Sequence, residues 1–341
     1  MQYLSSMILV TGATGLVGSH LVCSLTAQDH KVRAIYRDKA SLEKFKMVAA
    51  RYPKAQLDKV EWLEADLLDL ISLEAACQGI TTIYHAAAFI SFDPRDQRKL
   101  RKINIEGTAN LVNVALSKGV TKICHISSVA TLGKALAGQA ITEETEWNPQ
   151  QPGSGYAISK YGAEMEIWRG GQEGLKVCML LPSVILGEGH WNSASGNLIK
   201  KGANGMPFYT PGGSGFVDVQ DVVKAAILIA NSAACEGEKF LLSAYNKDYK
   251  SFFTDLAVHF SSNEPKYKVP QWCMRIAAST DWLASRILGT PQRLSQALVD
   301  SIYKQSNYSS DKIKEKLDFE FTPWEQTIER ICDAFKAQNH F

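Results

Sequence analysis

The chain has 341 residues, 45% of them hydrophobic and 21% charged, with a formal net charge of +2. This is the composition of an ordinary soluble globular protein, long enough for one large domain or two small ones. The lack of a basic block excludes a nucleic-acid partner, and no apolar run reaches the roughly eighteen residues of a membrane-spanning helix.

Ile8, Leu9, Val10 and Thr11 suit a buried parallel strand that runs straight into Gly12, Gly15 and Gly18. A helix then carries Val17, Leu21, Val22 and Leu25 on one side. A strand, a tight glycine turn and a helix N-terminus make an anion site. The first N–H groups of the helix are unpaired, and the glycines let the backbone approach a pyrophosphate. The spacing is G-x-x-G-x-x-G rather than the G-x-G-x-x-G of the ordinary dinucleotide fingerprint. Thr14, Leu16 and Val17 lie in the same turn and join the glycines as cofactor-binding candidates.

Residues 31–36 read as a second strand, with Arg37 directly after it. Dinucleotide folds place an acid at the end of this strand to bind the adenosine ribose. Here Tyr36 stands in that place, and Arg37, Lys39 and Lys44 follow. A missing carboxylate beside a guanidinium suits a 2′-phosphate, so NADP(H) is expected over NAD(H); a solvated basic loop is the plain alternative. Residues 41–52 are helical in pattern, and 60–65 form a third strand ending at Asp66 and Leu67. A parallel sheet binds ligands at such an edge, and Asp66 suits the adenine amino group. A fourth strand at 80–84 is followed by His85, Ala86, Ala87 and Ala88. The alanines leave room for a ribose or nicotinamide, whereas His85 reads as a packed, hydrogen-bonded residue and not as a catalyst.

A long helix is expected over 95–118, and Asn104 and Gly107 inside it carry a propensity cost that calls for a packing or functional reason. A fifth strand over 120–127 ends at Ser128. After a loop rich in Gly, Glu and Pro, Tyr156 opens a helix through about Gly170 that also carries Lys160. Four residues apart, the two side chains share one helix face. A tyrosine with a reference pKa of about 10 is a poor acid or base at neutral pH. A lysine cation and the positive ring of an oxidised nicotinamide would favour the phenolate. Ser128 is placed to hydrogen-bond a substrate oxygen.

In that order the glycine turn, Asp66, Asn104, Ser128, Tyr156 and Lys160 resemble the extended short-chain dehydrogenase/reductases. The resemblance covers nearly the whole chain and is strongest to the dihydroflavonol-reductase and 3β-hydroxysteroid-dehydrogenase-like branch. It implies an α/β fold, a doubly wound, mostly parallel Rossmann sheet over 1–181, re-entered at about 216–243. A smaller, mostly helical substrate lobe takes 182–215 and 244–341. It implies Ser128, Tyr156 and Lys160 as the catalytic triad, with Asn104 supporting the lysine through water. Gly12, Gly15 and Gly18 become the cofactor turn, Asp66 and Leu67 the adenine contact, and Arg37 and Lys44 the 2′-phosphate grip. The stretch from Pro182 through Val184 to Gly187 wraps the nicotinamide in such proteins. Phe89, Phe92, Trp191, Phe208 and Tyr209 lie in segments that border the nicotinamide in relatives, which suits an apolar or aromatic small-molecule substrate. The helices at 95–118 and 156–170 build a four-helix bundle in most relatives, so a homodimer is expected.

Further along, 177–181 reads as a sixth strand, Asp221 as the cap of a helix over 222–231, and 238–243 as another strand, and the resemblance implies that 216–221 returns to the sheet. In 272–288 the stripe of Trp272, Ile276, Leu283 and Ile287 is interrupted by Arg275, Asp281 and Arg286. It is expected to pack on protein, a membrane-surface helix being the alternative. Two more helices start near Asp311 and Pro323. Seven scattered cysteines without a C-x-x-C pair, and a first segment with no basic n-region, favour a cytoplasmic protein with free thiols. No metal site is expected.

The chemistry so assembled is the NADP(H)-dependent interconversion of a carbonyl and an alcohol. Tyr156 moves the proton, Ser128 steadies the oxygen, and Lys160 holds the ribose and tunes Tyr156. A sugar-nucleotide epimerase or dehydratase is the second reading. Against it stand Val184 where epimerases carry Asn, Ser214 where they carry Arg, and Val129 and Ala130 where dehydratases carry acids. A third reading, an NADP(H)-sensing protein without turnover, is opposed by the complete Ser–Tyr–Lys set.

Overall fold

The computed structural model describes residues 7–136, 138–150, 153–290, 292 and 294–339. The first half alternates strand and helix: β1 (Met7–Thr11), α1 (Leu16–Ala27), β2 (Val32–Tyr36), α2 (Leu42–Ala49), β3 (Val60–Glu64), α3 (Leu70–Cys77) and β4 (Ile80–His85). Then come α4 (Gln97–Leu100), a π-helical stretch (Arg101–Glu106), α5 (Gly107–Ser117), β5 (Lys122–Ile126), α6 (Gly155–Gln172) and β6 (Lys176–Pro182). The remainder is β7 (Val184–Leu186), α7 (Ala194–Ala203), β8 (Phe208–Tyr209), β9 (Gly213–Asp218), α8 (Val219–Asn231), β10 (Glu238–Leu242) and β11 (Tyr245–Asp248). It ends with α9 (Tyr249–Phe260), β12 (Tyr267–Lys268), α10 (Gln271–Leu288), α11 (Gln296–Ile302), α12 (Asp311–Leu317) and α13 (Trp324–Asn339).

A strand returning to the same sheet edge in parallel needs a crossover, and the helices supply it. The result is a seven-stranded sheet ordered β10-β6-β5-β4-β1-β2-β3, parallel at every pairing. Alternate residues of each strand face opposite sides. Val10, Cys124, Leu180 and Phe240 therefore pack with α1 and α8 on one face. Leu9, Ile123, Met179 and Leu241 pack with α3, α5 and α6 on the other. The order reverses between β1 and β4, the crevice where such sheets take ligands.

The helix expected over 95–118 is broken by its π-helical stretch, which contains the buried Asn104. The return to the sheet also differs from expectation. β9 pairs with β7 and β11 in a separate three-stranded sheet, and the chain rejoins the central sheet only at β10. The mostly helical lobe also contains this small sheet. Its core joins Leu186, Trp191, Phe216, Phe252, Trp324 and Phe335. Nor does all of 244–341 belong to the lobe, because Ile313 and Phe319 pack into the central-sheet core. The cap of α8 is Asp218, whose carboxylate accepts from the Gln220 N–H at 2.8 Å. Asp221 instead lies buried in the first turn and accepts from the Thr322 N–H and hydroxyl at 2.9 and 2.8 Å.

One expectation is overturned outright. The α10 stripe does not pack on protein: Trp272 is 64% and Ile287 72% exposed, and Ile276 and Leu283 are exposed as well. Only Ala278 and Ser285 of this helix are buried, so the four large residues of the stripe stand outside the contact with the rest of the protein. Among the described residues no helix is long and apolar enough to cross a membrane.

The lobe is fastened to the sheet by charge. Arg330 on α13 ion-pairs with Glu188, just beyond β7, and with Asp218 at 2.6 Å. His20 on α1 completes the node, meeting the Glu188 carbonyl at 3.3 Å and the Tyr52 hydroxyl at 2.7 Å.

Candidate active site

Everything placed at the C-terminal edge of β1 follows from the glycine turn. Gly12 has φ +65°, and a Cβ there would lie 2.7 Å from the Ala87 backbone, so only glycine lets β1 and the turn after β4 come together. A Cβ on Gly18 would lie 2.1 Å from the Gly12 carbonyl oxygen. No side chain caps α1 at Gly15, which leaves its first N–H groups pointing into the cleft. That cleft has a volume of about 460 Å³ and is lined by Gly12, Thr14, Gly15, Arg37, Lys44, Asp66, Leu67, Ala86, Ala87 and Ala88. Ser41 and Ile103 line it too. Val17 lies in the sheet core, with Leu16 packed against that core, so neither side chain faces this cleft.

Asp38 caps the turn at 39–41, holding Arg37 and Lys44 at one end of the cleft. Both are exposed, and among the described residues neither pairs with a carboxylate. Asp66 accepts from the Leu68 N–H at 2.9 Å, and the Leu67 carbonyl accepts from Asn110 at 3.0 Å. A glycine turn open to backbone approach, a helix N-terminus and two cations without a carboxylate partner among the described residues fit an adenine dinucleotide.

Behind the cleft a buried array fixes the geometry. Thr108 gives its proton to the Asn104 carbonyl at 2.6 Å, so His85 Nε2–H donates to Thr108 at 3.0 Å. His85 Nδ1 then accepts from the Thr11 hydroxyl at 2.7 Å. His85 is thus fully satisfied, and burial and the Lys160 charge push its pKa down to about 3. The Asn104 amide bonds both the N–H and the carbonyl of Phe89, at 2.7 and 2.9 Å, and donates to Ser159 at 2.9 Å. Ser159 donates to the Tyr156 carbonyl at 2.8 Å. A π-helical turn admits one more residue than an α-turn, which is how the Asn104 amide comes to clamp the Phe89 loop to α6.

Ser154 caps α6, accepting from the Ala157 N–H at 3.2 Å, and the helix starts just before Tyr156. Ser128, one residue beyond the Ser127 that hydrogen-bonds back to β6, reaches the Tyr156 phenol with its hydroxyl. Burial raises the Tyr156 pKa and the Ser128 hydrogen bond opposes the rise, so the lowering expected from sequence is not a property of the chain alone. Lys160 is buried, donating to the Ile126 carbonyl at 2.8 Å and to His125 Nε2 at 3.4 Å. Burial brings its pKa down to about 8, and Glu164 one turn further on opposes this. Glu164 accepts from Ser127 and Thr131 at 2.5 and 2.6 Å.

Of the aromatic candidates, Phe92 meets Tyr156 at 5.9 Å between centroids, and Phe89 lines the cleft. Trp191 does not belong with them: it is 7% exposed, packed edge-on against Phe335 in the lobe core. Phe208 is exposed beside Tyr267, and Tyr209 lies under Lys250. Pro182 ends β6, and Val184 in β7 packs against the lobe core. Residues that sequence reasoning missed line a hollow of about 300 Å³ beside Tyr156, among them Gln97, Trp282, Gln292 and Gln296. No motif marks them, since they converge from separate elements. Among the described residues no His, Cys, Asp and Glu cluster could hold a metal ion.

Residues 8–243 match the model of the NAD dependent epimerase/dehydratase family. The chain is 33% identical over 237 residues to sterol demethylase protein B of Methylococcus capsulatus, covering 69% of each protein. It is 29% identical over 193 residues to the bifunctional dihydroflavonol 4-reductase/flavanone 4-reductase of Pyrus communis, covering 54% of this chain and 55% of that one. The crystal structure of gox2253 superposes with a TM-score of 0.82 at 29% identity, covering 98% of this chain and 99% of that one. The chain therefore belongs to the NAD dependent epimerase/dehydratase family, as an extended short-chain dehydrogenase/reductase of the dihydroflavonol-reductase-like branch.

Proposed function

We propose that the protein is an NADP(H)-dependent oxidoreductase that interconverts a carbonyl and an alcohol on a small apolar or aromatic substrate. The observation that carries this reading is the Tyr156 phenol, hydrogen-bonded to Ser128 on the same helix as the buried Lys160. When bound, the nicotinamide supplies or takes the hydride. Ser128 orients the reacting oxygen, and Tyr156 delivers the proton to it or removes it. Lys160 holds the ribose and stabilises the phenolate after proton transfer. Its pKa of about 8 means that the charge is lost above that pH, so turnover falls on the alkaline side. The hollow at Phe92, Gln97, Trp282 and Gln296 offers apolar walls with amide groups for a substrate ring and its substituents. Ser214, across from Lys247 in β9, leaves the arginine position of a sugar-nucleotide epimerase unfilled. A cytosolic location is part of this reading and agrees with seven free thiols.

Cofactor choice tests the nucleotide end. NADPH is expected to bind at least about tenfold tighter than NADH, and Arg37→Ala to remove most of that difference, because a charged bidentate contact is worth about 1.5–3 kcal/mol. Equal affinities in the parent protein would rule out the 2′-phosphate grip. Consumption of NADPH with a panel of aldehydes, flavanones and steroids then tests turnover itself. A homodimer through α5 and α6 completes the reading; sedimentation at micromolar concentration should give twice the 37.6 kDa chain mass, and a single 37.6 kDa species would refute it.

A further inference from the structure

We propose that His125, to which none of the chemistry above gives a role, is a positioning residue: its Nε2 accepts a hydrogen of the Lys160 ammonium and holds that group on the helix face that carries Tyr156. The inference rests on the reading of Tyr156 and Lys160 just given.

An ammonium has three hydrogens and only donates. One goes to the Ile126 carbonyl at 2.8 Å and one toward His125 Nε2 at 3.4 Å, which leaves the third for the ribose. His125 Nε2 must then be the bare nitrogen, with the ring proton on Nδ1. His125 Nδ1 is buried and has no hydrogen-bond partner among the described residues. An unpaired buried N–H is unfavourable, and a phenylalanine here would avoid it. The imidazole is accounted for by what Nε2 does.

The neighbouring ring sharpens the contrast. His85 lies directly opposite His125 in the β4–β5 register and stacks on it at 4.9 Å, with 28° between planes. Both His85 nitrogens are occupied by threonine hydroxyls, and its proton sits on Nε2. His85 thus fixes the plane of His125 by stacking, and the two rings carry opposite tautomers. The array ends at His125 Nδ1, so the residue holds the lysine and relays no proton. Burial and the Lys160 charge keep both imidazoles neutral. The charged and titratable groups facing Lys160 are His125 from β5, His85 from β4 and Glu164 from α6, with Lys239 of β10 acting on Glu164.

The test needs no substrate in its first arm. Long-range proton–nitrogen spectra of the labelled parent protein at pH 6.5 should show His125 neutral with the proton on Nδ1, and Lys160→Met should release that preference. An Nε2-protonated His125 in the parent would overturn the proposal whatever the enzyme does. In the second arm, His125→Phe keeps the stacked ring but cannot accept. Its kcat should fall roughly ten- to hundredfold, the scale of one hydrogen bond to a charged group. Its alkaline limb should move to lower pH, since the ammonium has lost an acceptor. His125→Gln, whose amide oxygen can accept where Nε2 does, should restore the limb and most of kcat. A Phe variant with the parent's kcat and limb, or a Gln variant no better than Phe, would also overturn it. If the parent reduces no carbonyl, the reading of the site fails while the spectra still decide the His125 contact.

Discussion

Replacing Tyr156 by phenylalanine is expected to cut turnover by about two to four decades, the scale of general acid–base catalysis. The substitution keeps the ring against Phe92 and leaves the cap of α6 and the cofactor cradle untouched. The fold and the affinity for the nicotinamide cofactor should therefore be close to those of the parent. What is lost is the phenol hydroxyl, the proton donor proposed above, with its hydrogen bond from Ser128. The comparison to make is kcat beside cofactor Kd on the same preparations. Near-normal turnover in the variant would mean that another group moves the proton. A joint loss of turnover and affinity would instead point to a disturbed cleft.

The second large effect is on stability. Arg330→Met should destabilise the protein by about 3–5 kcal/mol, because it strands two carboxylates that have almost no solvent of their own. Glu188 and Asp218 are buried, and Arg330 is the cation that bridges them. Burial alone would raise the Glu188 pKa, but the charges of Arg330 and His20 outweigh it and hold the acid below its ordinary value. A depressed acid contributes stability that is present above the unfolded pKa of about 4.3 and fades as pH falls through the folded value. In the variant that contribution is gone. Urea unfolding should show the full gap near pH 7 and a narrowing one as the pH drops toward 4. A gap that does not change with pH would mean that Arg330 acts through packing of its stem alone.

The central strands were legible because buried parallel strands demand runs such as Ile8 to Thr11, and a Gly turn before a helix has few other uses. The four-residue spacing of Tyr156 and Lys160 was legible because it follows from helix geometry alone. What escaped was decided by partners distant in the chain. Asp218 rather than Asp221 caps α8 because Thr322, far along the sequence, occupies the second acid. Trp191 has the look of a ligand-facing aromatic until Phe335 of the last helix covers it. The break in the helix at 101–106 was foreshadowed by the cost of Asn104 and Gly107, although nothing local specifies a wider turn. α10 misled because an amphipathic stripe states which residues are apolar and leaves open which side meets protein.

The Arg330 node also sets a clock. Glu188 and its cation are separated by 142 residues, and His20 precedes Glu188 by a further 168. At roughly 5–20 residues per second, a ribosome that has just made Glu188 needs roughly seven to thirty seconds to make Arg330. Until then the two carboxylates have no cation to offset their burial and stay in water, which keeps the loop after β7 off α1. The glycine turn and the α8 cover of α1 can form early, whereas the ion-pair node closes only when α13 leaves the ribosome, so a chain released short of that helix lacks the charge that fastens the lobe to the sheet.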